Sequence, residues 1–530
     1  MELKDKDLLS VQEARDLLAK AKAAQQELAG MDQQQIDRIV KAISEAGIAN
    51  AETLAKDAQE ETGFGKWQDK VLKNLFAAKT VYEAVKDQKT IGLLREDKEN
   101  KVWDIGVPVG VIAGIVPSTN PTSTVIYKAM IALKSGNAIV FSPHPGAKNC
   151  IVRTVKIIAE AAEKAGCPKG AISVVTIPTM QATKELMGNA NTALILATGG
   201  GAMVKSAYSS GTPAIGVGAG NGPAFIDKSA DVPRAVKQIL DSKTFDNGTI
   251  CASEQSIVVE KSMEDTVVRE LKNQGAVLLD ESQSAKLAQF ILRANGTMNP
   301  MIVGKTCAQI AQYAGLSGIP KDARVLVAKA DKVGEKEPYS REKLAPILGL
   351  FVERDTEAVL KRCVEILYME GAGHTFSMHA KDENLIRRFA LAIPASRFLV
   401  NTAGSLGGIG ATTRLFPALT LGCGAVGGSS SSNNIGPMDL INIKRVAFGT
   451  KELDELRREA GVCGEYGAHT GGACWTDADR RTMGSQYAGS RVTSSYSMSS
   501  QTAGGSYAAH SGVSKETIDS IVDRILKELL

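Results

Sequence analysis

The chain has 530 residues, 44% of them hydrophobic, enough to bury large cores, and its length points to two or three domains rather than one. Lys plus Arg (62) nearly balances Asp plus Glu (58), leaving a net charge of +4, so no electrostatic footprint for nucleic acid or an anionic membrane stands out. Residues 1–7 carry neither the basic start nor the apolar stretch of a secretory signal, and no apolar run approaches the roughly 20 residues of a membrane span, so a cytoplasmic protein is expected.

Apolar positions at helical spacing (Leu8, Val11, Leu17, Leu18, Ala21, Leu28) predict a helix over residues 7–30, and helix-rich sequence continues through 33–90. From about residue 107 the texture changes. Short β-branched runs at 111–116, 138–141, 172–177 and 193–197 alternate with helical stretches at 122–135, 147–165 and 180–188. The alternation predicts βαβ units and a parallel sheet, with Gly-, Pro- and Ser-rich loops at the strand ends where ligands bind. A second α/β set begins near Gln255, with strand-like runs at 324–329, 347–354 and 397–401. A domain boundary is therefore expected near 243, just before TFDNGTIC. This divides the chain into residues 1–243, with the βαβ units, a second α/β domain at 244–434, and a return segment at 435–460.

Beyond about 460 the composition shifts. Residues 485–511 hold nine serines and no Leu, Ile or Phe, too little apolar surface to fold alone, so 461–512 is read as a Gly/Ser-rich linker. In 513–530, Ile518, Ile521, Val522, Ile525, Leu526, Leu529 and Leu530 recur every three or four positions opposite Lys515, Asp519, Ser520, Asp523, Lys527 and Glu528, with Ser514 as N-cap. That pattern predicts a short amphipathic helix. Its linker detaches it from local packing and suggests a partner's groove.

Eight cysteines scattered through a large intracellular chain are expected to stay reduced. Cys251, in TFDNGTICASEQ, differs from the rest in lying at the expected domain junction among polar neighbours, which suits a working thiol better than a core one. Gly199, Gly200 and Gly201 follow a strand and open a helical stretch, where backbone amides approach a phosphate; a tight turn would look the same in sequence. Cys463 and Cys474 flank His469 but fall short of a zinc pattern, and no metal is expected.

Four segments in order, VPSTNPTS (116–123), FSPHP (141–145), TFDNGTICASEQ (244–255) and EKLAPILG (342–349), resemble the acylating branch of the aldehyde dehydrogenase superfamily. The likeness covers about residues 10–450 and is nearest to the dehydrogenase half of bifunctional aldehyde-alcohol dehydrogenases and to microcompartment enzymes acting on acetaldehyde or propionaldehyde. It implies an aldehyde dehydrogenase-like fold: a Rossmann-like NAD-binding domain, a catalytic domain and an oligomerisation element. It implies Cys251 as nucleophile, Asn120 with the Cys251 backbone N–H as oxyanion donors, and Glu342 against the nicotinamide ribose. Ser142, Pro143 and His144 fall where hydrolytic relatives carry a lysine and an acid for the adenosine ribose; without a basic residue for a 2′-phosphate, NAD is favoured over NADP.

Hydrolytic members resolve their thioester with water activated by a glutamate, and the matching stretch here, GVGAGNGPAF (216–225), holds no acid. General-base help of about 10²–10⁴-fold is thereby lost. The resemblance supplies coenzyme A as the acceptor instead, with Gly218, Gly220 and Gly222 leaving room for it. The implied reaction oxidises a short-chain aldehyde with NAD and CoA to acyl-CoA. The alternatives are a hydrolytic aldehyde dehydrogenase using an acid from elsewhere in the chain, and a mainly structural microcompartment core protein. The tail resembles encapsulation peptides that bind microcompartment shell or core proteins, and the family implies homo-oligomers joined through strands near 100–110 and 439–448.

Overall fold

A computed structural model describes residues 5–461. Cys463, His469 and Cys474, linker residues 462–512 and the segment 513–530 lie outside the described residues. The described chain forms two units: one from the residues up to 92 together with 106–443, the other from 93–105 with 444 onward.

The larger unit opens with the helix Lys6–Leu28, whose first amides are capped by the Asp5 carboxylate and whose buried stripe includes Ala14, Leu18, Ala21 and Leu28. Helices Gln33–Ala49, Ala51–Thr62 and Trp67–Leu75 follow, the first closed by a reciprocal Asp32–Gln35 capping box. Next come the strands of a five-stranded sheet: β1 (Val111–Val116), β2 (Ala138–Pro143), β3 (Ile172–Val174), β4 (Thr192–Thr198) and β5 (Ala214–Val217). Their spatial order is β3-β2-β1-β4-β5 and every pair is parallel. The order reverses between β1 and β4, the switch point beyond whose strand ends dinucleotide folds bind their ligands. All residues of β1 and β2 are buried, as a parallel sheet covered on both faces requires.

A seven-stranded parallel sheet follows: β6 (Gly222–Ile226), β7 (Glu254–Glu260), β8 (Ala276–Leu278), β9 (Val325–Lys329), β10 (Ile347–Glu353), β11 (Gly373–His379) and β12 (Ala395–Val400), ordered β8-β9-β10-β7-β6-β11-β12. The chain changes sheet at residues 218–221, earlier than the boundary read near 243. Strand β6 pairs with β7 and β11, and the helix Val232–Thr244 packs its apolar stripe on this second sheet. Residues 222–243 have the same apolar texture as the preceding βαβ units, so composition does not mark the change.

The helix Pro121–Lys134 after β1 is buried along its whole length. Inside it, Lys128 donates to the carbonyls of Ile115 (2.7 Å) and Leu196 (2.8 Å), tying β1 to β4 with an ammonium whose pKa burial pushes well down. The return segment is anchored to the same region: Tyr127 Oη donates to the Ile435 carbonyl, and Asn137 Nδ2 to that of Leu440 at 2.8 Å.

In the smaller unit, strands Gly92–Asp97, Val102–Pro108 and Ile441–Ala447 form a three-stranded sheet with Val102–Pro108 central. Trp103 meets Phe448 edge-on with ring centroids 5.1 Å apart, and Asp104 receives Arg95 (3.1 Å) and Arg445 (3.4 Å). Among the described residues no helix is long and apolar enough to cross a membrane. Tyr127→Phe should remove one buried hydrogen bond and strand a carbonyl, lowering unfolding free energy by about 1–2 kcal/mol with little change in turnover, as denaturant titration would measure.

Candidate active site

Cys251 follows a turn that no ordinary sequence adopts unaided. Asp246 (φ +47°), Asn247 (φ +51°) and Gly248 (φ +78°) are successive left-handed residues, a conformation costing each non-glycine roughly 1–2 kcal/mol. The turn is held from several sides. The Asp246 amide donates to Asp69 Oδ2 (2.7 Å), its Oδ1 accepts from the Lys66 amide (2.7 Å), and its Oδ2 accepts from Lys70 Nζ (2.9 Å), Lys73 Nζ and Thr249 Oγ1 (2.8 Å). Asn247 Nδ2 donates to the Gly304 carbonyl at 2.9 Å. Burial opposes ionisation of Asp246, but the ammoniums of Lys73 and Lys70 outweigh it and hold the carboxyl below its usual range. Only glycine fits at position 65, where a Cβ would lie 1.8 Å from Asp246 Oδ1. Asp246 and Asn247 therefore shape the loop that carries Cys251.

The thiol of Cys251 lies 3.2 Å from Nε2 of His374, whose Nδ1 is 2.9 Å from Thr375 Oγ1. Both residues belong to β11, 123 positions away in sequence, which is why the sequence showed no histidine near the thiol. No local signal in GAGHTF marks His374; only the neighbourhood of β11 and β6 in the second sheet brings it to Cys251. Burial, assisted by the Arg397 guanidinium, pushes His374 down to about 3, so the imidazole is neutral with a free lone pair. Burial, then the charges of Glu342 and Cys423, push the thiol up to about 12, so the resting pair is uncharged. Arg397 is itself buried, donating to the carbonyls of Gly422 (2.6 Å) and Gly373 (3.2 Å) and to Thr375 Oγ1 (3.4 Å). The other five described cysteines are buried, whereas Cys251 is partly exposed.

Asn120 sits at the N-cap position of the helix Pro121–Lys134 but makes no cap hydrogen bond. Its Oδ1 instead accepts from Lys73 Nζ (2.5 Å) and its Nδ2 donates to the Thr249 carbonyl (3.2 Å). Burial pushes Lys73 down to about 8 against the pull of Asp246. Lys73 was missed in the sequence because it lies on a helix of the N-terminal region that carries no motif.

Lys73, Asn120 and Cys251 line one cavity of about 360 Å³ that reaches Ser142, Pro143, His144, Gly199, Gly200, Gly201, Gly218 and Glu342. A Cβ on Gly200 or Gly201 would meet nothing within 4 Å, and Gly201 begins the helix Gly201–Tyr208, so a helix N-terminus, whose first amides lack intrahelical partners, borders the cavity, where negative charge is favoured. Among the described residues, no lysine or arginine apart from Lys73 lines the cavity. Ser142 Oγ is paired with Thr183 Oγ1 at 2.8 Å, and His144 Nδ1 accepts from the Gly146 amide at 3.1 Å.

Gly220 does not line the cavity. Its amide donates to Glu342 Oε1 at 2.9 Å, and an added Cβ would fall 1.8 Å from the Cys251 carbonyl oxygen. At Gly222 a Cβ would fall 2.6 Å from the Thr375 oxygen. Those two glycines let backbones pack closely rather than making room for a ligand, and of the three only Gly218 opens onto the cavity. Glu342 is pushed up to about 8 by burial and by Glu370, so its carboxyl is largely protonated at neutral pH.

Comparison with known proteins places this geometry. The model of the aldehyde dehydrogenase family matches residues 4–336. The bifunctional aldehyde-alcohol dehydrogenase AdhE of Escherichia coli (strain K12) is 44% identical over 443 residues, 83% of this chain and 50% of that protein; the chain thus spans about half the length of this curated relative. Among solved structures, a probable aldehyde dehydrogenase from Listeria monocytogenes EGD-e is 63% identical, with a TM-score of 0.85, covering 86% of this chain and 100% of that one. An acetylating aldehyde dehydrogenase from Geobacillus thermoglucosidasius is 52% identical with a TM-score of 0.83, covering 85% and 99%. A propionaldehyde dehydrogenase from the Clostridium phytofermentans fucose utilisation bacterial microcompartment is 29% identical with a TM-score of 0.74, covering 82% and 97%.

An uncharged thiol–imidazole pair has a testable signature. Alkylation of Cys251 by iodoacetamide, followed by peptide mass mapping, should accelerate about tenfold per pH unit between pH 7 and 9, because the thiolate fraction grows in that proportion well below the pKa. A rate already level below pH 7 would mean a thiolate–imidazolium pair instead.

Proposed function

The chain belongs to the aldehyde dehydrogenase family, and we propose that it is a CoA-acylating member, converting a short-chain aldehyde, NAD⁺ and coenzyme A to acyl-CoA and NADH through a thioester on Cys251. The observation that carries this reading is that the Cys251 thiol and the Asn120 amide line one cavity, with the buried His374 imidazole 3.2 Å from the thiol, while the segment 216–225 supplies no carboxylate.

In the tautomer whose Nδ1–H donates to Thr375 Oγ1, His374 Nε2 faces Sγ and takes the thiol proton as attack begins. The C–S bond forms and the carbonyl π pair moves to oxygen, where the Asn120 NH₂ and the Cys251 amide donate to it; one such donor can be worth roughly 3 kcal/mol. Bound nicotinamide supplies the hydride acceptor that turns the resulting hemithioacetal into a thioester. The residues fit an NAD molecule: amides at Gly200 and Gly201 suit its pyrophosphate, and Glu342 suits the nicotinamide ribose. The lack of a cationic side chain around His144 suits an unphosphorylated adenosine ribose.

Release follows from what surrounds the thioester. Glu342 is the acid that lines the cavity; its Oε1 accepts from the Gly220 amide, and burial and Glu370 push it up to about 8, which disfavours the charged form that a base on water would need. Once the first proton has passed from His374 to solvent, the imidazole takes the proton of the coenzyme A thiol as its sulfur attacks the acyl carbon, and the Cys251 sulfur leaves and recovers that proton. A hydrolytic enzyme is the competing reading, and a chain acting chiefly as a microcompartment core protein is another.

Propionaldehyde or acetaldehyde is the favoured substrate. A setting inside a bacterial microcompartment, with residues 513–530 binding shell or core proteins and the chain assembling as a homo-oligomer, is supported by the apolar pattern of that tail and by the likeness to an enzyme of such a compartment. Strands Val102–Pro108 and Ile441–Ala447 are the proposed oligomer contacts.

Intact mass spectrometry after aldehyde and NAD⁺ without coenzyme A should find one acyl group, on Cys251. His374→Ala should slow its appearance by about 10²–10⁴-fold. An adduct on another cysteine, or one that decays to free acid as fast without coenzyme A as with it, would sink the reading.

A further inference from the structure

Lys73 has no role in the mechanism above, yet it is a buried lysine, 3% exposed, at the wall of the reaction cavity. Its three ammonium protons have three acceptors: Asn120 Oδ1 at 2.5 Å, Thr249 Oγ1 at 3.0 Å, and Asp246 Oδ2. An ammonium donates only. The one atom of the Asn120 side chain that it can bond is Oδ1.

We propose that Lys73 is a positioning residue for acylation: it locks the Asn120 amide in the single orientation that turns NH₂, rather than C=O, toward the developing oxyanion. This rests on the reading of Asn120 as oxyanion donor. An asparagine amide is nearly the same shape in its two flipped states, and sterics alone do not choose between them. With Lys73 present the flipped state sets NH₂ against NH₃⁺ and loses a charge-assisted hydrogen bond. In the orientation that remains, Nδ2 donates to the Thr249 carbonyl, two residues before Cys251, and to Thr119 Oγ1, both at 3.2 Å; these neutral acceptors favour the same state, and Lys73 adds the charge-assisted bond that holds it. A flipped amide would present its oxygen to a forming negative charge.

Lys73 is in turn held by the surrounding residues. It lies three residues after Lys70 on the helix Trp67–Leu75, so both ammoniums leave one helix face and meet Asp246 Oδ2. Lys70 also donates to the Thr119 carbonyl at 3.2 Å, the residue before Asn120. The carboxylate that holds the nucleophile's turn therefore also aims the lysine that orients the oxyanion donor.

The test is a double-mutant cycle on the full chain, reading the NADH burst with acetaldehyde and NAD⁺. Asn120→Ala should slow the burst about 10²–10³-fold. Lys73→Met should slow it about tenfold or more, a part of that donor's worth, with little change in the acetaldehyde concentration giving half-maximal burst rate. In the Asn120→Ala background Lys73→Met should add less than about twofold, because the group it orients is gone. Lys73→Arg should recover part of the rate, since guanidinium also only donates. Lys73→Gln, close in length but with an amide that both donates and accepts and so selects neither orientation of Asn120, carries the cycle with the same expected loss if the Met variant does not fold. Equal fold-losses from the Lys73 substitution in both backgrounds would overturn the proposal while leaving Asn120 as donor. No effect of Asn120→Ala alone would instead overturn the Asn120 reading, and this one with it.

Discussion

The carboxylate of Asp246, buried and shared among Lys70, Lys73, the Lys66 amide and Thr249, is the interaction on which the site's geometry depends. Without those four partners a turn of three left-handed residues would relax toward ordinary backbone, and Cys251, five residues on, would lose its place at the cavity wall. The same carboxylate ties the nucleophile-bearing turn to a helix from the N-terminal region, and through Lys70 and Lys73 to Thr119 and Asn120 in the loop after β1. Breaking one partner of such a buried charge cluster is expensive because the remaining charge stays out of water, which makes the arrangement stiff as well as stable.

Rigidity of this kind suits chemistry in which charge appears on a substrate oxygen. The resting thiol and imidazole are both neutral, because burial disfavours ionising either one. In the proposed reaction, charge separation is left to the moment of attack, when donors already fixed in place receive it. The fate of the intermediate is then a matter of what is missing around it. Gly220 and Gly222 pack so tightly on the backbone of Cys251 and Thr375 that no side chain fits at either, whereas at Gly218, which opens onto the cavity, a Cβ would meet nothing closer than 3.8 Å, so there the missing carboxylate is a matter of residue identity.

Much of the fold was legible. The alternation of β-branched runs and helical stretches between 107 and 197 corresponds to strands β1 to β4 and their helices, because a parallel sheet needs strands apolar on both faces and the helices carry a 3.6-residue stripe. The sheet change at 218–221 was not legible, because strand β6 reads like the strands before it and differs only in the neighbours it pairs with. Within the site, Cys251 and Asn120 stood out through their segments, and the structure brings both to one cavity with Ser142, Pro143, His144, the three glycines at 199–201, Gly218 and Glu342. Gly220, read as a ligand contact, is instead a backbone contact.

The sequence by itself determined the two α/β sets, the partly polar setting of Cys251 and the want of an acid in GVGAGNGPAF, since each of these is written in local pattern or in residue identity. Tertiary structure alone decided which groups act on the thiol. His374 lies 123 residues from Cys251, and Lys73 acts on an asparagine 47 residues away. Neither carries a local signature, because hydrogen-bond partners at a buried site are chosen by strand order and helix packing, and those depend on contacts distant in sequence.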